Sequence, residues 1–420
     1  MELRDSFKIS LKREFPNDWM IAPLRDLSIF ITSGSRGWAS FYSERGATFI
    51  RSQNIRSGSL NFEDHQCVTP PQGAEGSRTK VMSGDVLVTI TGNSVGNVAS
   101  LDQDIGEAYI SQHVGLVRLK DAAAAKYVSM FLAPGAPGND QIVSGQSGQS
   151  KPGLNLKNIQ DFLIALPSSS ERKSIATALS DVDALIAGLE KLIAKKRDIQ
   201  QAAMQQLLTG QTRLPGFSGE WAVKKLGEIG ATYGGLIGKG KADFGHGAAH
   251  YVPFVNVMAN VRVDCDAFDL VDVGENEIQN KVRCGDLLFN GSSETPEEVA
   301  MCSLMTVAID DLYLNSFCFG FRLKEKIQTD GLFLAYYMRG PSGRNLVKSL
   351  AQGSTRYNLS KSALLAAEMA LPEKQEQTAI AAVLSDMDTE LSALESRLNK
   401  TRDLKQGMMQ ELLTGRTRLI

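Results

Sequence analysis

The chain contains a long stretch of itself twice, and that constrains its fold more than any other feature. Residues 175–214 read IATALSDVDALIAGLEKLIAKKRDIQQAAMQQLLTGQTRL, and residues 380–419 read IAAVLSDMDTELSALESRLNKTRDLKQGMMQELLTGRTRL. The two align without gaps, and roughly half of the paired positions are identical. A repeat of this length on either side of more divergent sequence implies one scaffold built twice.

The repetition extends beyond these blocks. Phe15-Pro-Asn-Asp-Trp19 matches Phe217-Ser-Gly-Glu-Trp221, and Leu24 and Leu226 follow the tryptophans. Gly84-Asp85 matches Gly285-Asp286, Tyr109 with Arg118-Leu119 matches Tyr313 with Arg322-Leu323, and Leu166-Pro167 matches Leu371-Pro372. The chain therefore divides into a variable segment (1–166), a helical block (167–210), a linker (211–220), a second variable segment (221–371) and a second helical block (372–415). The second block ends where the first runs on into the next Phe and Trp, so both blocks meet the same context and a closed, pseudo-twofold arrangement is expected.

The helical blocks carry apolar residues at Ile175, Leu179, Val182, Ile186, Leu189 and Ile193, and at Ile380, Leu384, Met387, Leu391, Leu394 and Leu398. This is the 4-3-4-3-4 spacing of a coiled-coil seam. Lys196 and Thr401 take the next seam position, and the stripe is expected to resume at Ile199 and Leu404, then Ala203 and Met408, then Leu207 and Leu412. Ser168-x-x-Glu171 reads as a capping box, Pro372 and Glu373 suit a first turn, and Gly210 and Gly415 suit C-caps. About 38 residues at ~1.5 Å each give a helix of about 57 Å. Alternation with globular segments favours antiparallel packing of the two helices.

The variable segments read as mixed α/β domains. Strands are expected at 47–55, 85–91 and 113–119, with counterparts at 250–258, 286–290 and 317–323. Short amphipathic helices are expected at Ala124–Ala133 and Leu332–Arg339. The fold class is thus α+β: two mixed α/β domains joined by two long helices packed as an antiparallel coiled coil.

Composition excludes several classes. With 43% hydrophobic and 22% charged residues, the chain is globular rather than disordered. No apolar run approaches the ~20 residues of a membrane span, and the N-terminus is charged. Five dispersed cysteines suit a reducing cytoplasm. A net charge of −2 leaves room only for a local basic face.

Catalytic motifs are missing. Gly235-Leu-Ile-Gly-Lys-Gly-Lys-Ala242 resembles a P-loop but has Ala242 where Ser or Thr would hold Mg²⁺, so it reads as a Gly/Lys loop. His246 and His250 lie in glycine-rich sequence and read as loop residues, not as metal ligands. No amino-methyltransferase tetrapeptide or nucleophile elbow is present. The run Lys191 to Arg197 reads as a solvated helix face, and Tyr336-Tyr337 as core.

Residues suited to reading nucleic acid recur at matching places. Arg36, Trp38 and Arg45 sit in one loop-like segment, and Asn54 and Arg56 follow a strand, as Asn256 and Asn260 do in the second half. Gln149, Ser150 and Lys151 match Ser354, Thr355 and Arg356, which Tyr357 follows, and Lys239 and Lys241 add positive charge. Asn bonds adenine in a bidentate way, Arg or Lys bonds guanine, and lysines reach phosphates.

Two divergent α/β segments, each followed by a near-identical long helix ending in Gln-Leu-Leu-Thr-Gly or Glu-Leu-Leu-Thr-Gly, resemble the specificity subunit of type I restriction-modification systems. Gly353-Ser-Thr-Arg-Tyr-Asn-Leu359 looks like a block of that family; Gly148-Gln-Ser-Lys-Pro-Gly-Leu154 departs from it, which favours Arg356 over Lys151 as a DNA contact. The resemblance implies a cytoplasmic, non-catalytic DNA-binding subunit. Each variable segment would be a target recognition domain reading one half of a split, asymmetric site in double-stranded DNA. The coiled coil would set the spacer and dock two modification subunits. S-adenosylmethionine would lie on those subunits, and ATP with Mg²⁺ on separate restriction subunits, leaving no cofactor on this chain. Competing readings are the same scaffold in a modification-only system, or a coiled-coil adaptor that binds only proteins.

Overall fold

In the computed structural model, residues 15–56, 58–70, 73–146 and 153–420 are described. They form two compact units that are discontinuous in sequence: residues up to Glu190 with Arg397–Ile420, and Lys191–Ser396. Each long helix thus contributes to both units.

In the first unit a four-stranded antiparallel sheet runs in the order Ser28–Ser33, Val114–Leu119, Asp85–Thr89, Val98–Ser100. Asp85–Thr89 is buried at every position, as a central strand of near-continuous apolar sequence must be. A smaller sheet runs Tyr42–Ser43, Cys67–Val68, Ala47–Ile50, Ala108–Ile110, with its last pair parallel. Helix Ala125–Leu132 supplies Tyr127, Val128 and Phe131 to the main core, together with Ile175, Leu179, Met409 and Leu412 of the long helices.

The second unit repeats the plan. Its four-stranded sheet runs Gly230–Gly234, Cys318–Leu323, Leu287–Asn290, Cys302–Leu304, and a three-stranded sheet runs Asp269–Val271, Phe244–Val252, Leu312–Leu314. Helix Gly331–Arg339 brings Phe333, Leu334 and Tyr336 to a core closed by Leu207, Ile380 and Leu384. The Tyr336 hydroxyl donates to Asp388, the polar satisfaction a buried phenol needs. The strand expected at 250–258 stops at Val252, because Pro253 ends the ladder and opens helix Phe254–Ala259. His246 and His250 lie in that bulged strand rather than in a loop.

The matched Gly-Asp and Arg-Leu motifs turn out to be partners. Buried Asp85 accepts from Arg118 Nε at 2.8 Å and Nη2 at 2.7 Å. Asp286 accepts from Arg322 Nε at 2.8 Å and Nη2 at 2.6 Å. Arg118 lies over the Phe30 ring and Arg322 over Tyr233. Burial, then the Asp286 carboxylate, pushes the Tyr233 phenol well up.

Both long helices, Ser169–Leu207 and Lys374–Leu412, are 39 residues long. In the first unit Glu190 pairs with Arg402 and Asp183 with Lys405. In the second unit Lys196 pairs with Glu390, Arg197 with Glu395, and Gln200 with Asp388. Numbers rise on one helix as they fall on the other, so the packing is antiparallel. Glu190–Arg402 and Glu395–Arg197 are the same pair with the repeats exchanged, one within each unit. Ile175, Leu179, Leu189, Ile193, Ile380, Leu384, Leu391 and Leu398 are buried, and Val182, Ile186, Met387 and Leu394 are half-buried. The stripe skips Ile199 and Leu404, which are 44% and 58% exposed, and resumes at half-buried Ala203 and Met408 and buried Leu207 and Leu412. Gln200 and Lys405 turn inward there instead, because the facing side chains are Asp388 and Asp183.

The helix ends behave alike. Gly210 and Gly415 take φ of 70° and 71°, where a side chain would be strained. A Cβ on Gly415 would sit 2.4 Å from Pro16. Arg418 then bonds Glu171 and Asp18 and lies over Trp19, while Arg213 bonds Glu376 and lies over Trp221. The C-terminal tail thus reaches the same context as residues 211–221. Glu171 N–H donates to Ser168 Oγ at 3.2 Å, but the Glu171 carboxylate is taken by Trp19 and Arg418. Only half of the capping box therefore forms.

Candidate nucleic-acid interface

In each unit, loops gather at one end of the four-stranded sheet. In the second unit Gly235 lies against the Asn315 carbonyl, which would be 2.1 Å from a Cβ. Gly291 N–H donates to Phe317 O at 2.8 Å, and Leu359 N–H donates to Gly291 O at 3.1 Å. The loops around Gly235, Ser292, Phe317 and Arg356 are thereby tied into one cluster. Strand residues Ser292 and Ser293 pair with Asn358 and Tyr357. Arg356 is exposed, its Nε donating to Ser292 Oγ at 3.2 Å and its guanidinium 5.5 Å from the centre of the Phe317 ring. Phe317 is itself 61% exposed. Ser354 and Thr355 are exposed beside Arg356, and Tyr357 is half-buried.

The first unit builds the same cluster from different residues. Gly34 lies against the Ser111 carbonyl, Ile90 N–H donates to His113 O at 2.9 Å, and Leu154 N–H donates to Ile90 O at 2.9 Å. Thr91 and His113 stand where Ser292 and Phe317 stand in the second unit. The Thr91 hydroxyl bonds His113 Nδ1, and Gln112 Nε2 lies 3.0 Å from His113 Nε2. Gln149, Ser150 and Lys151 lie outside the described residues.

Several expected contact residues are differently placed. Trp38 is 3% exposed and stacks on Phe49 at 5.2 Å, inside the small core under the second sheet. Ala47, Val68 and Tyr109 complete that core around it. Asn54 is buried: its Nδ2 donates to Asn61 O and Asp64 O, and its Oδ1 accepts from Arg51 N. Asn256 does the same with Asp264 O, Ala267 O and Asp264 N. Both satisfy loop backbone that would otherwise be unpaired, so neither faces a base. Asn260 is half-buried and donates to Asn256. Lys239 is tied to Glu277 at 2.6 Å. That bond, with help from Gly274 N–H and Gln279, holds the Glu277 carboxyl down at about 2. Arg36, Arg45, Arg56 and Lys241 are exposed, and none has an ion-pair partner among the described residues.

Phe317, Ser292, Thr91, Gln112 and His113 were not among the expected contacts. The repeat alignment held the signal, since Thr91 matches Ser292 and His113 matches Phe317 at unlike residues flanking matched strands. Among the described residues no helix is long and apolar enough to cross a membrane.

Comparison with known proteins agrees with this architecture. The family model described as "Type I restriction modification DNA specificity domain" matches residues 40–196 and again 218–401. A type I restriction enzyme EcoKI specificity subunit from Escherichia coli K12 is 21% identical over 95% of this chain and 88% of its own length. A putative type I restriction enzyme MjaX specificity subunit from Methanocaldococcus jannaschii is also 21% identical, over 99% of this chain and 97% of its own. The crystal structure of a type I restriction-modification S subunit from M. genitalium has a TM-score of 0.56 at 14% identity, covering 94% of this chain and 96% of that one. A chain from a study of type I restriction-modification complex assembly and conformational transition gives 0.56 at 15%, covering 95% and 98%. With two copies of the domain spanning most of its length, this chain belongs to the type I restriction-modification DNA specificity family.

Proposed function

We propose that this chain is the non-catalytic DNA-reading subunit of a type I restriction-modification complex, each unit reading one half of a split, asymmetric target. The observation that carries this is a duplicated fold whose loop clusters differ at matched places: half-buried Thr91 with exposed His113 in one, buried Ser292 with exposed Phe317 in the other. A common scaffold with unlike readers is what a split target of two different halves needs. The antiparallel helices would set the spacer, and apolar side chains they leave exposed suit docking of modification subunits. These are Leu185 and Leu404 in the first unit and Leu192 and Ile199 in the second. Those partners would bind S-adenosylmethionine, and restriction subunits would bind ATP with Mg²⁺. The weak net charge fits, because partner subunits would share the phosphate contacts.

The test is to map methylated bases in DNA from cells carrying this chain with its modification partner. A two-part motif with a fixed gap is expected, and exchanging residues 15–165 for those of a relative should change one half only. A contiguous motif, or both halves changing at once, would refute the reading.

A further inference from the structure

We propose that Arg356 reads a guanine in the half-site of the second unit, and that Phe317 is the positioning residue that aims it. This rests on the DNA-reading function proposed above and assigns its chemistry at one position.

One edge of the Arg356 guanidinium is left open. Nε is occupied by Ser292 Oγ at 3.2 Å, and one face lies toward the Phe317 ring at 5.5 Å. Neither Nη has a partner among the described residues, and no carboxylate pairs with the group there. The loop beneath is closed by reciprocal bonds, Gln352 N–H to Asn358 O at 2.9 Å and Asn358 N–H to Gln352 O at 2.8 Å. Asn358 Nδ2 also donates to Arg356 O at 3.1 Å. Gly353 has φ of 131°, and a Cβ there would lie 2.1 Å from the Arg356 carbonyl, so only glycine closes this turn.

A phosphate contact needs none of this orientation; a freely rotating cation such as Lys241 serves. A stacked guanidinium with its Nε engaged presents two parallel N–H donors in a fixed plane. That fork matches the O6 and N7 acceptors of guanine in the major groove. Phe317 is exposed for the same reason: its ring is half of the stack rather than core. In the first unit Thr91 and His113 hold the matching places, so its reader is of a different kind.

The experiment uses the full chain assembled with its modification partner. Duplexes carry 7-deazaguanine, which lacks N7, at each guanine of the second half-site in turn, and methylation rates are compared with the unmodified site. At one position the wild-type rate should fall on the order of 10-fold or more. Arg356→Ala should be slow on both substrates and insensitive to the replacement. Arg356→Lys, which keeps the charge but not the fork, should not restore sensitivity. Phe317→Ala should reduce the sensitivity and Phe317→Tyr restore it, with first-half discrimination unchanged throughout. A second half-site without guanine, or one insensitive at every guanine, overturns this assignment while leaving the recognition function standing. A wild-type complex that methylates no defined sequence overturns both.

Discussion

If the antiparallel helices act as a ruler along the duplex, lengthening both by the same amount should change the gap by a calculable number of base pairs. The insertion points follow from the ion pairs. Glu190–Arg402 and Asp183–Lys405 lie on one side of Ile193 and Leu398; Lys196–Glu390, Arg197–Glu395 and Gln200–Asp388 lie on the other. Inserting the same number of helical residues beside Ile193 and Leu398 preserves every one of these pairs. Four residues in each helix add about 6 Å and a net rotation of about 40°. Two base pairs span about 7 Å and turn by about 70°. Axial and angular changes therefore agree to within about 30°, and the four-residue break is a stutter that a coiled coil accommodates. Seven residues in each helix add about 10.5 Å, close to three base pairs, but rotate by only about −20° against about 105° for the DNA. The four-residue variant should methylate a site with a gap two base pairs longer, and the seven-residue variant should be slow on every gap. Four residues in the first helix alone leave a turn without partners and should lower thermal stability without defining a new gap. Methylation mapping in cells reads the gap directly. Retention of the original gap by the doubly lengthened chain would refute the ruler.

Other perturbations test the scaffold and the surface. Asp286→Ala strands Arg322, the Tyr233 hydroxyl and the Arg283 N–H, and should cost about 3 kcal/mol in urea unfolding, at the low end for a broken buried pair because Arg322 is 34% exposed. Replacing Asp286 and Arg322 together by Leu and Met should recover most of that loss. Trp38→Ala should destabilise by about 3–5 kcal/mol through lost packing, whereas Trp38→Phe should leave the first half-site readable, which a base-contacting Trp38 would not allow. Arg45→Ala and Lys241→Ala should change stability by less than about 0.5 kcal/mol, yet each should flatten the salt dependence of DNA binding by about one unit. Unchanged salt slopes would place those charges away from DNA.

How much of this was legible in the sequence depended on distance along the chain. The seam, the caps at Gly210 and Gly415 and the short helices are local patterns, and the structure holds them nearly where periodicity put them. Gly-Asp and Arg-Leu were visible as matched motifs, but their pairing spans more than thirty residues and appears only when two strands distant in sequence lie side by side. Trp38 misled because its neighbours are Gly37 and Ala39, which say nothing of Phe49 and Tyr109 arriving from other strands. Ile199 and Leu404 continued the apolar rhythm, yet the opposing helix presents Asp388 and Asp183 there, and polar partners override periodicity.

The internal repeat also separates scaffold from reader more sharply than residue chemistry does. Two units that read unlike sequences can share a side chain only where its task is independent of the base being read. Asn54 and Asn256 have the chemistry to bond adenine, but they are identical at matched positions, and both prove to tie down loop backbone. The same filter assigns Asp85 with Asp286, Arg118 with Arg322 and Trp19 with Trp221 to the frame. What remains at this end of the sheet is exposed, matched in place and unlike in kind in one pair above all, His113 against Phe317, each beside a hydroxyl, Thr91 or Ser292. Divergence at those sheet-end positions, on loops tied by the same backbone bonds in both units, would let a duplicated protein carry two specificities without altering what folds it.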